Sequence, residues 1–293
     1  MSDFSGRIVK ALSGFYYVEK DNRIIECRAR GIFRKRGAPP LVGDIAAVTM
    51  SGDSGVIDAV HERKSAFVRP PLANIDRLYI VSSFSSPEPN AFIIDKLTVT
   101  AERASVEPVI VFNKCDTGNF DRWKSIYEHA GFRVFVVSAA SGEGIEGLKA
   151  DISGCFCAFT GNSGVGKSSL INAIAPELGL QTGQLSDKLG RGRHTTRHTQ
   201  MYPVGSGYIA DTPGFATVEC EHIDKHQLVQ YFRDIAEHGD RCRFTGCSHT
   251  AEAGCAVRSA VDNGQIEPTR YMSYCRLYDE CASVSEWDWN KRK

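Results

Sequence analysis

A loop with the pattern GxxxxGKS, at residues 161–168 (GNSGVGKS), carries the clearest chemical signal in the sequence. It lies between two apolar runs, Cys155–Thr160 and Ser169–Ile174, so it should join a strand to a helix. Its glycines allow backbone N–H groups to surround a β-phosphate at the positive end of that helix. Lys167 would add charge at the β- and γ-phosphates, and the Ser168 hydroxyl is a ligand for Mg²⁺. The predicted phosphate site consists of Gly161, Asn162, Ser163, Gly164, Val165, Gly166, Lys167, Ser168 and Ser169.

A second motif, NKCD at residues 113–116, can select the base. The Asp116 carboxylate can accept hydrogen bonds from guanine N1–H and N2–H₂, which adenine does not offer. Lys114 can lie over the base and Asn113 can brace the loop, although the same four residues could form a turn with a helix cap. Ser138 and Ala139 follow the next strand and resemble the element whose backbone N–H contacts guanine O6.

A third motif, DTPG at residues 211–214, follows the short strand GYIA. Asp211 can hold Mg²⁺ through water, and the Gly214 N–H can face a γ-phosphate, although DTPG alone is an ordinary turn. The polar, basic segment 189–200 (LGRGRHTTRHTQ) is typical of a mobile switch. Thr196 is the preferred second Mg²⁺ contact, with Thr195 as the alternative.

Phe215 follows DTPG where Ras-like enzymes have the glutamine that orients the attacking water. A low intrinsic rate is therefore expected. His194 is the candidate to order the water, His198 is its rival, and a solvated histidine without a catalytic role fits the sequence equally well. The predicted catalytic set is Lys167, His194, Thr196 and Asp211.

Three cysteines and a histidine crowd into 14 residues with the pattern C-x₄-C-x-H-x₅-C. Such a closed set of four ligands suits one structural, tetrahedral Zn²⁺ and leaves no position for catalysis. Free buried cysteines are the alternative. The predicted ligands are Cys242, Cys247, His249 and Cys255.

The elements that must position these residues indicate a multidomain α/β protein. Residues 1–68 contain five short strands, which fit an OB-type β-barrel or, nearly as well, an SH3-like barrel. Residues 69–218 alternate apolar strands with helices, which predicts a parallel sheet covered on both faces. Residues 219–293 are predicted to be a helical, zinc-binding domain, with helices near Lys225–Glu237 and Glu267–Ser283. In familiar GTPases the phosphate loop comes first; here it follows NKCD, so a circularly permuted P-loop GTPase domain is expected.

Charge and composition constrain the partners only partly. Of 293 residues, 35 are Lys or Arg and 35 are Asp or Glu, so no net field attracts nucleic acid. Residues 1–70 nevertheless carry 12 Lys and Arg against 8 Asp and Glu, with a basic run at Arg28–Arg36. This run is either an RNA contact or a solvated loop. The sequence contains neither a signal-like leader nor an apolar run of membrane-spanning length, so a cytoplasmic monomer without membrane contact is expected.

Together, NKCD, GNSGVGKSS, DTPG, RHTT and the Cys/His pattern resemble the bacterial RsgA family (also called YjeQ) of small ribosomal subunit biogenesis GTPases. The resemblance implies an OB-fold domain, a permuted GTPase using Mg²⁺ with GTP, and a zinc domain. It also implies binding to the small ribosomal subunit and its rRNA during late maturation, with GTP hydrolysis stimulated by the subunit. The switch departs from the family, in which a longer threonine run is common. Two other functions stay open: a nucleotide-gated RNA-binding module, and a permuted GTPase acting on the large subunit.

Overall fold

The computed structural model describes residues 2–67, 70–84, 88–180, 199–211 and 223–282, without the side chains of Thr199 and Asp211. The predicted domain boundaries, at 68/69 and 218/219, lie outside these ranges and stay predictions. Within the described ranges, no helix is both long and apolar enough to cross a lipid bilayer.

A five-stranded barrel forms the amino-terminal part. Its elements are β1 Phe4–Leu12, β2 Phe15–Lys20, β3 Arg23–Ala29, the short helix α1 Gly31–Lys35, β4 Ile45–Ser51 and β5 Ser54–Val60. The strands pair in the order β1-β2-β3-β5-β4, and β4 pairs again with β1. Only the β3–β5 pair is parallel. This closed order is that of the OB fold and resolves the choice between the two barrel types. Alternate strand residues, such as Ile8, Val18 and Ile57, fill the interior.

A six-stranded sheet forms the centre of the molecule. After a small hairpin, β6 Ala66–Phe67 and β7 Leu72–Ala73, its elements are β8 Arg77–Ser83, α2 Ala91–Arg103, β9 Glu107–Asn113, α3 Asp121–His129, β10 Arg133–Val136, α4 Ile145–Ile152, β11 Phe156–Thr160, α5 Lys167–Ile174, β12 Thr199–Val204 and β13 Gly207–Asp211. The order is β10-β9-β8-β11-β13-β12, parallel throughout except for the β12–β13 pair. The expected parallel sheet is therefore confirmed.

Both faces of this sheet are covered, because neighbouring strand residues point to opposite sides. Leu78 and Ile80 pack with the α2 and α3 side, whereas Tyr79 and Val81 pack with the α4 and α5 side. The continuous apolar strands seen in the sequence follow from this double covering.

The carboxy-terminal helices pack on α2. A 3-10 turn at Leu228–Tyr231 precedes α6 Arg233–Gly239, α7 Ala256–Asp262 and α8 Pro268–Ala282. The stretch predicted as helical near Lys225–Glu237 is thus divided, because Phe232 has an extended backbone (φ −115°, ψ 96°) between the two helical pieces. The Phe232 ring is fully buried among these helices, where the extended conformation places it.

A buried ion cluster joins these helices to the central sheet domain. The Arg270 guanidinium on α8 donates to Asp234 on α6 at 2.8 and 3.0 Å and to Asp95 on α2 at 2.6 Å. All three side chains are almost completely buried, and the Phe232 ring lies 5.0 Å from the guanidinium carbon. Because an unpaired buried charge is very unfavourable, the arginine and the two carboxylates must be kept together.

We predict that Arg270→Ala lowers the free energy of unfolding by about 3–5 kcal/mol, because it leaves two buried carboxylates without a cation. Arg276→Ala on the same helix is the control, since Arg276 is 64% exposed, pairs with Glu280 at 3.5 Å and lies 3.7 Å from the centre of the Phe92 ring. That control should lose about 1–2 kcal/mol at most. Chemical denaturation followed by circular dichroism measures both; equal losses would contradict the prediction.

Candidate nucleotide pocket and metal site

The predicted nucleotide motifs lie at one edge of the central sheet. Asn113 ends β9, the loop 161–166 follows β11, and Asp211 ends β13. These strands are parallel, so their carboxyl ends meet at the same edge. The strand predicted at Arg133–Ser138 ends at Val136, which leaves Ser138 free to turn into the adjacent loop.

The phosphate loop needs glycine at two positions where the backbone is close to other strands. Gly161 has a φ of +138°, and a Cβ there would lie 2.1 Å from the Val81 carbonyl oxygen. Gly166 has a φ of +87°, and a Cβ there would lie 2.5 Å from Asn113 Nδ2. Only glycine fits both the conformation and the space. The loop is thereby packed directly onto β8 and onto the base motif.

Asn113 connects three of the predicted motifs through one buried side chain. Its Nδ2 donates to the Val165 carbonyl in the phosphate loop at 2.9 Å, and its Oδ1 accepts from the Ala139 N–H at 3.1 Å. Only 1% of Asn113 is exposed. The brace predicted for this residue therefore exists, and it reaches the phosphate loop as well as its own loop.

Lys114 and Asp116 line the open side of the same region. Lys114 adopts a left-handed backbone conformation, and its Nζ donates to the Gly164 carbonyl at 2.8 Å. Its alkyl chain therefore spans the distance between the base motif and the phosphate loop. Asp116 is exposed, and its Oδ1 accepts a hydrogen bond from the Ser138 hydroxyl. The sequence assigned Ser138 a backbone role and gave no signal for this side-chain contact.

Lys167 lies over the phosphate loop. Its Nζ donates to the carbonyls of Gly161 and Asn162, each at 2.7 Å. Burial lowers the pKa of Lys167, because the ammonium has lost part of its hydration. An anionic phosphate in this loop would offset that loss. Ser168 and Ser169 are half-buried in the first turn of α5, beside the loop.

Part of the predicted site lies outside the described residues. His194, Thr196 and Gly214 belong to this group, together with the alternatives Thr195 and His198. Asp211 is described only by its backbone, as the last residue of β13. The roles predicted for these residues stay predictions.

The four predicted zinc ligands converge. One candidate ligand atom from each of Cys242, Cys247, His249 and Cys255 lies within 4.8 Å of every other. The Cys242 and Cys255 sulfurs are 3.9 Å apart, and His249 Nδ1 lies 3.4 and 3.6 Å from them. Tetrahedral Zn²⁺ with Zn–S bonds of about 2.3 Å requires sulfur separations of about 3.8 Å. The cluster therefore has the dimensions to hold this ion.

Electrostatics of the cluster point the same way. Burial raises the pKa of the Cys247 thiol, and the neighbouring Cys255 and Cys242 raise it further. Burial lowers the pKa of His249, so its imidazole is neutral and able to donate a lone pair. Three thiolates at these distances repel one another unless a cation lies between them.

Three residues that the sequence did not single out support the cluster. The Tyr271 and Tyr274 hydroxyls on α8 donate to the His249 and Ser248 carbonyls, each at 2.9 Å. Glu252 accepts from the Ser248 N–H at 2.7 Å, and its hydrogen bonds to Ser248 hold its pKa down at about 2. The position of Glu252 within the Cys/His pattern is the only feature of the sequence that could have indicated its role. No local sequence pattern distinguishes the two tyrosines.

The Asn113 side chain joins the phosphate loop to the NKCD motif at one edge of a parallel sheet. NKCD precedes the phosphate loop along the chain, so the order of the motifs is permuted. These features define a circularly permuted P-loop GTPase that carries an OB-fold barrel. A family model described as RsgA GTPase matches residues 60–221, and one described as RsgA N-terminal domain matches residues 5–57. The chain belongs to the RsgA GTPase family, and it is a GTP hydrolase.

Relatives resemble this chain over nearly its whole length. A protein of Caldanaerobacter subterraneus named small ribosomal subunit biogenesis GTPase RsgA is 46% identical over 96% of each chain. One of the same name from Clostridium beijerinckii is 38% identical over 97% of this chain and 100% of its own. The crystal structure of YloQ, described as a circularly permuted GTPase, matches with a TM-score of 0.81 and 32% identity, over 96% of each chain. YjeQ from Thermotoga maritima matches with a TM-score of 0.81 and 36% identity, over 95% of this chain and 98% of its own.

We predict that Asn113→Ala weakens GDP binding about tenfold or more, because the Val165 carbonyl and the Ala139 N–H lose a buried partner at about 1–3 kcal/mol each. Asn119→Ala is the matched control, since Asn119 is exposed and its side chain forms hydrogen bonds with Asp121, away from the phosphate loop. Calorimetric titration with GDP compares the two variants. Equal affinities would show that the Asn113 brace does not shape the pocket.

Proposed function

We propose that this GTPase couples hydrolysis of GTP to GDP and phosphate to late maturation of the small (30S) ribosomal subunit, and that binding to the subunit stimulates hydrolysis. The observation that carries the proposal is the complete architecture shared with relatives named for small-subunit biogenesis. The similarity covers 96–97% of this chain, from the barrel through the GTPase body to the carboxy-terminal helices, and it supports a common partner.

Guanine selection is assigned to the NKCD loop. Asp116 accepts from guanine N1–H and N2–H₂, and the Ser138 hydroxyl orients its carboxylate. Lys114 covers the base, while the loop that contains Ser138 and Ala139 faces guanine O6. A site built from such hydrogen bonds rejects adenine, because the wrong base leaves polar groups unpaired.

Phosphate binding and hydrolysis are assigned to the loop 161–169, to the DTPG motif that begins at the end of β13, and to the switch segment 189–200. Lys167 neutralises the β- and γ-phosphates, and Gly214 contacts the γ-phosphate. Ser168, Thr196 and Asp211 would hold Mg²⁺, which supplies charge neutralisation when bound with GTP. His194 orders the attacking water.

Two further regions are proposed to serve the ribosomal partner. The residues of the basic run around α1 are exposed, and Arg34, Lys35 and Arg36 form its end. Within the run, Arg30 contacts Asp58 at 2.7 Å, and the Arg28 guanidinium lies 4.6 Å from the centre of the Phe15 ring. The exposed guanidinium and ammonium groups of the run suit rRNA phosphates, which OB folds commonly contact. The Cys/His cluster holds one structural zinc ion, and the protein acts in the cytoplasm as a monomer.

We predict that added small subunits raise GTP turnover at least tenfold, because the partner completes a site of low intrinsic rate. Lys167→Ala should lose turnover in both conditions, whereas Lys149→Ala, on the exposed face of α4, should match the parent protein. Phosphate release under multiple turnover measures this. The same assay with large ribosomal subunits is the comparison, and equal or greater stimulation by them would show that the enzyme acts on the large subunit. If nucleotide controls RNA binding but no subunit stimulates turnover, the protein is an RNA-binding module.

We predict that removal of zinc by a chelator loosens the cluster, because the thiols then regain their protons and the segment 242–255 loses the ion that holds its four ligands together. Hydrogen exchange of this segment should accelerate at least tenfold, while exchange in β8 and β9 stays unchanged. Added Zn²⁺ should restore protection. A metal-free protein that keeps full protection at 242–255 would contradict the structural role.

A further inference from the structure

Strand pairing joins the barrel directly to the GTPase sheet in the described part of the chain. Strand β1 pairs antiparallel with β12, with Lys10 opposite Gln200 and Ala11 opposite Thr199. Gln200 in turn lies opposite Asp211 in β13. One row of backbone pairs therefore runs from the barrel, across β12, to the residue assigned to the magnesium ion.

A side-chain hydrogen bond reinforces this row. The Tyr208 hydroxyl, on β13, donates to Glu19 Oε2, on β2 of the barrel, at 2.6 Å. Tyr208 lies three positions before Asp211 on the same strand. Burial and the hydrogen bond to Glu19 raise the pKa of Tyr208 to about 12, so the phenol keeps its proton at neutral pH and remains a donor.

The barrel also contacts the neighbouring strand that leads into the phosphate loop. The Arg7 guanidinium, on β1, lies 5.6 Å from the centre of the Phe156 ring, on β11, and donates to the Gly43 carbonyl at 3.3 Å. Phe156 lies opposite Tyr208 in the β11–β13 pair. The barrel therefore holds both strands whose ends carry the phosphate loop and Asp211.

We propose that Glu19 and Tyr208 are positioning residues, through which the barrel sets the distance between Asp211 and the phosphate loop and so the affinity for Mg²⁺ in the GTP complex. This inference rests on the proposed metal role of Asp211. Charge-assisted hydrogen bonds are strong and directional, so a single one at the base of a short strand can fix where that strand ends. Both residues lie outside the predicted nucleotide motifs.

The test measures GTP turnover against the concentration of Mg²⁺. Tyr208→Phe and Glu19→Ala remove the contact and should raise the half-maximal Mg²⁺ concentration about three- to tenfold. Affinity for GDP in the absence of Mg²⁺ should stay unchanged, a separation that a general loss of structure would not produce. Glu19→Gln keeps an acceptor oxygen and should restore most of the parent Mg²⁺ dependence.

Tyr17→Phe is the matched control. The Tyr17 hydroxyl donates to Glu26 at 3.2 Å, and this hydrogen bond joins two strands of the barrel. This variant also loses one tyrosine hydroxyl, but from a hydrogen bond within the barrel, and it should follow the parent curve. Thermal unfolding of each variant shows whether it folds. If Tyr208→Phe does not fold, Glu19→Ala, at a half-buried position of the barrel, is used in its place.

Asp211→Ala distinguishes a failure of the proposed metal role from a failure of the positioning role. If Asp211→Ala leaves the Mg²⁺ dependence unchanged, the proposed metal role fails. If Asp211→Ala changes it but Tyr208→Phe and Glu19→Ala follow the parent, the metal role stands and the positioning inference is overturned. Equal behaviour of Glu19→Gln and Glu19→Ala would also overturn it, since the hydrogen bond would then not be the cause.

Discussion

The pair of hydrogen bonds made by the Asn113 side chain is the constraint on which the nucleotide pocket depends. Its amide holds the phosphate loop on one side and the loop after β10 on the other, from a position with almost no solvent contact. A buried amide with both ends paired resists displacement, because any movement leaves a polar group unsatisfied. The base and phosphate ends of the pocket therefore move as one unit.

This constraint explains why the order of motifs along the chain does not matter. The pocket needs β9, β8, β11 and β13 side by side, and the sheet supplies that order whatever the connections. The different connections leave the two ends of the GTPase body available for attachment. The barrel joins its sheet at β12, whereas the carboxy-terminal helices cover α2, where Val99 enters their apolar core and Asp95 enters their ion cluster.

The sequence predicted the motif-bearing parts of the structure well, because those parts obey local rules. The glycines at 161 and 166, the apolar strands and the Cys/His spacing each reflect a requirement that acts over a few neighbouring residues. The barrel type was not decided by sequence, since the closing β1–β4 and β3–β5 pairs join distant residues and leave no local pattern. Arg270 and Asp95 were missed for a related reason: charged residues in amphipathic helices look solvated until tertiary packing buries them. The Ser138 contact with Asp116 likewise exists only when two loops meet.

The pairing of β1 with β12 also limits how other macromolecules can approach. Without the barrel, β12 would end the sheet and present a free row of amide and carbonyl groups, a common template for strand addition by another protein. Lys10 and Ala11 occupy part of that row from within the same chain. This paired part of the β12 edge is therefore closed to strand addition, and a partner that approaches it must recognise side chains and shape.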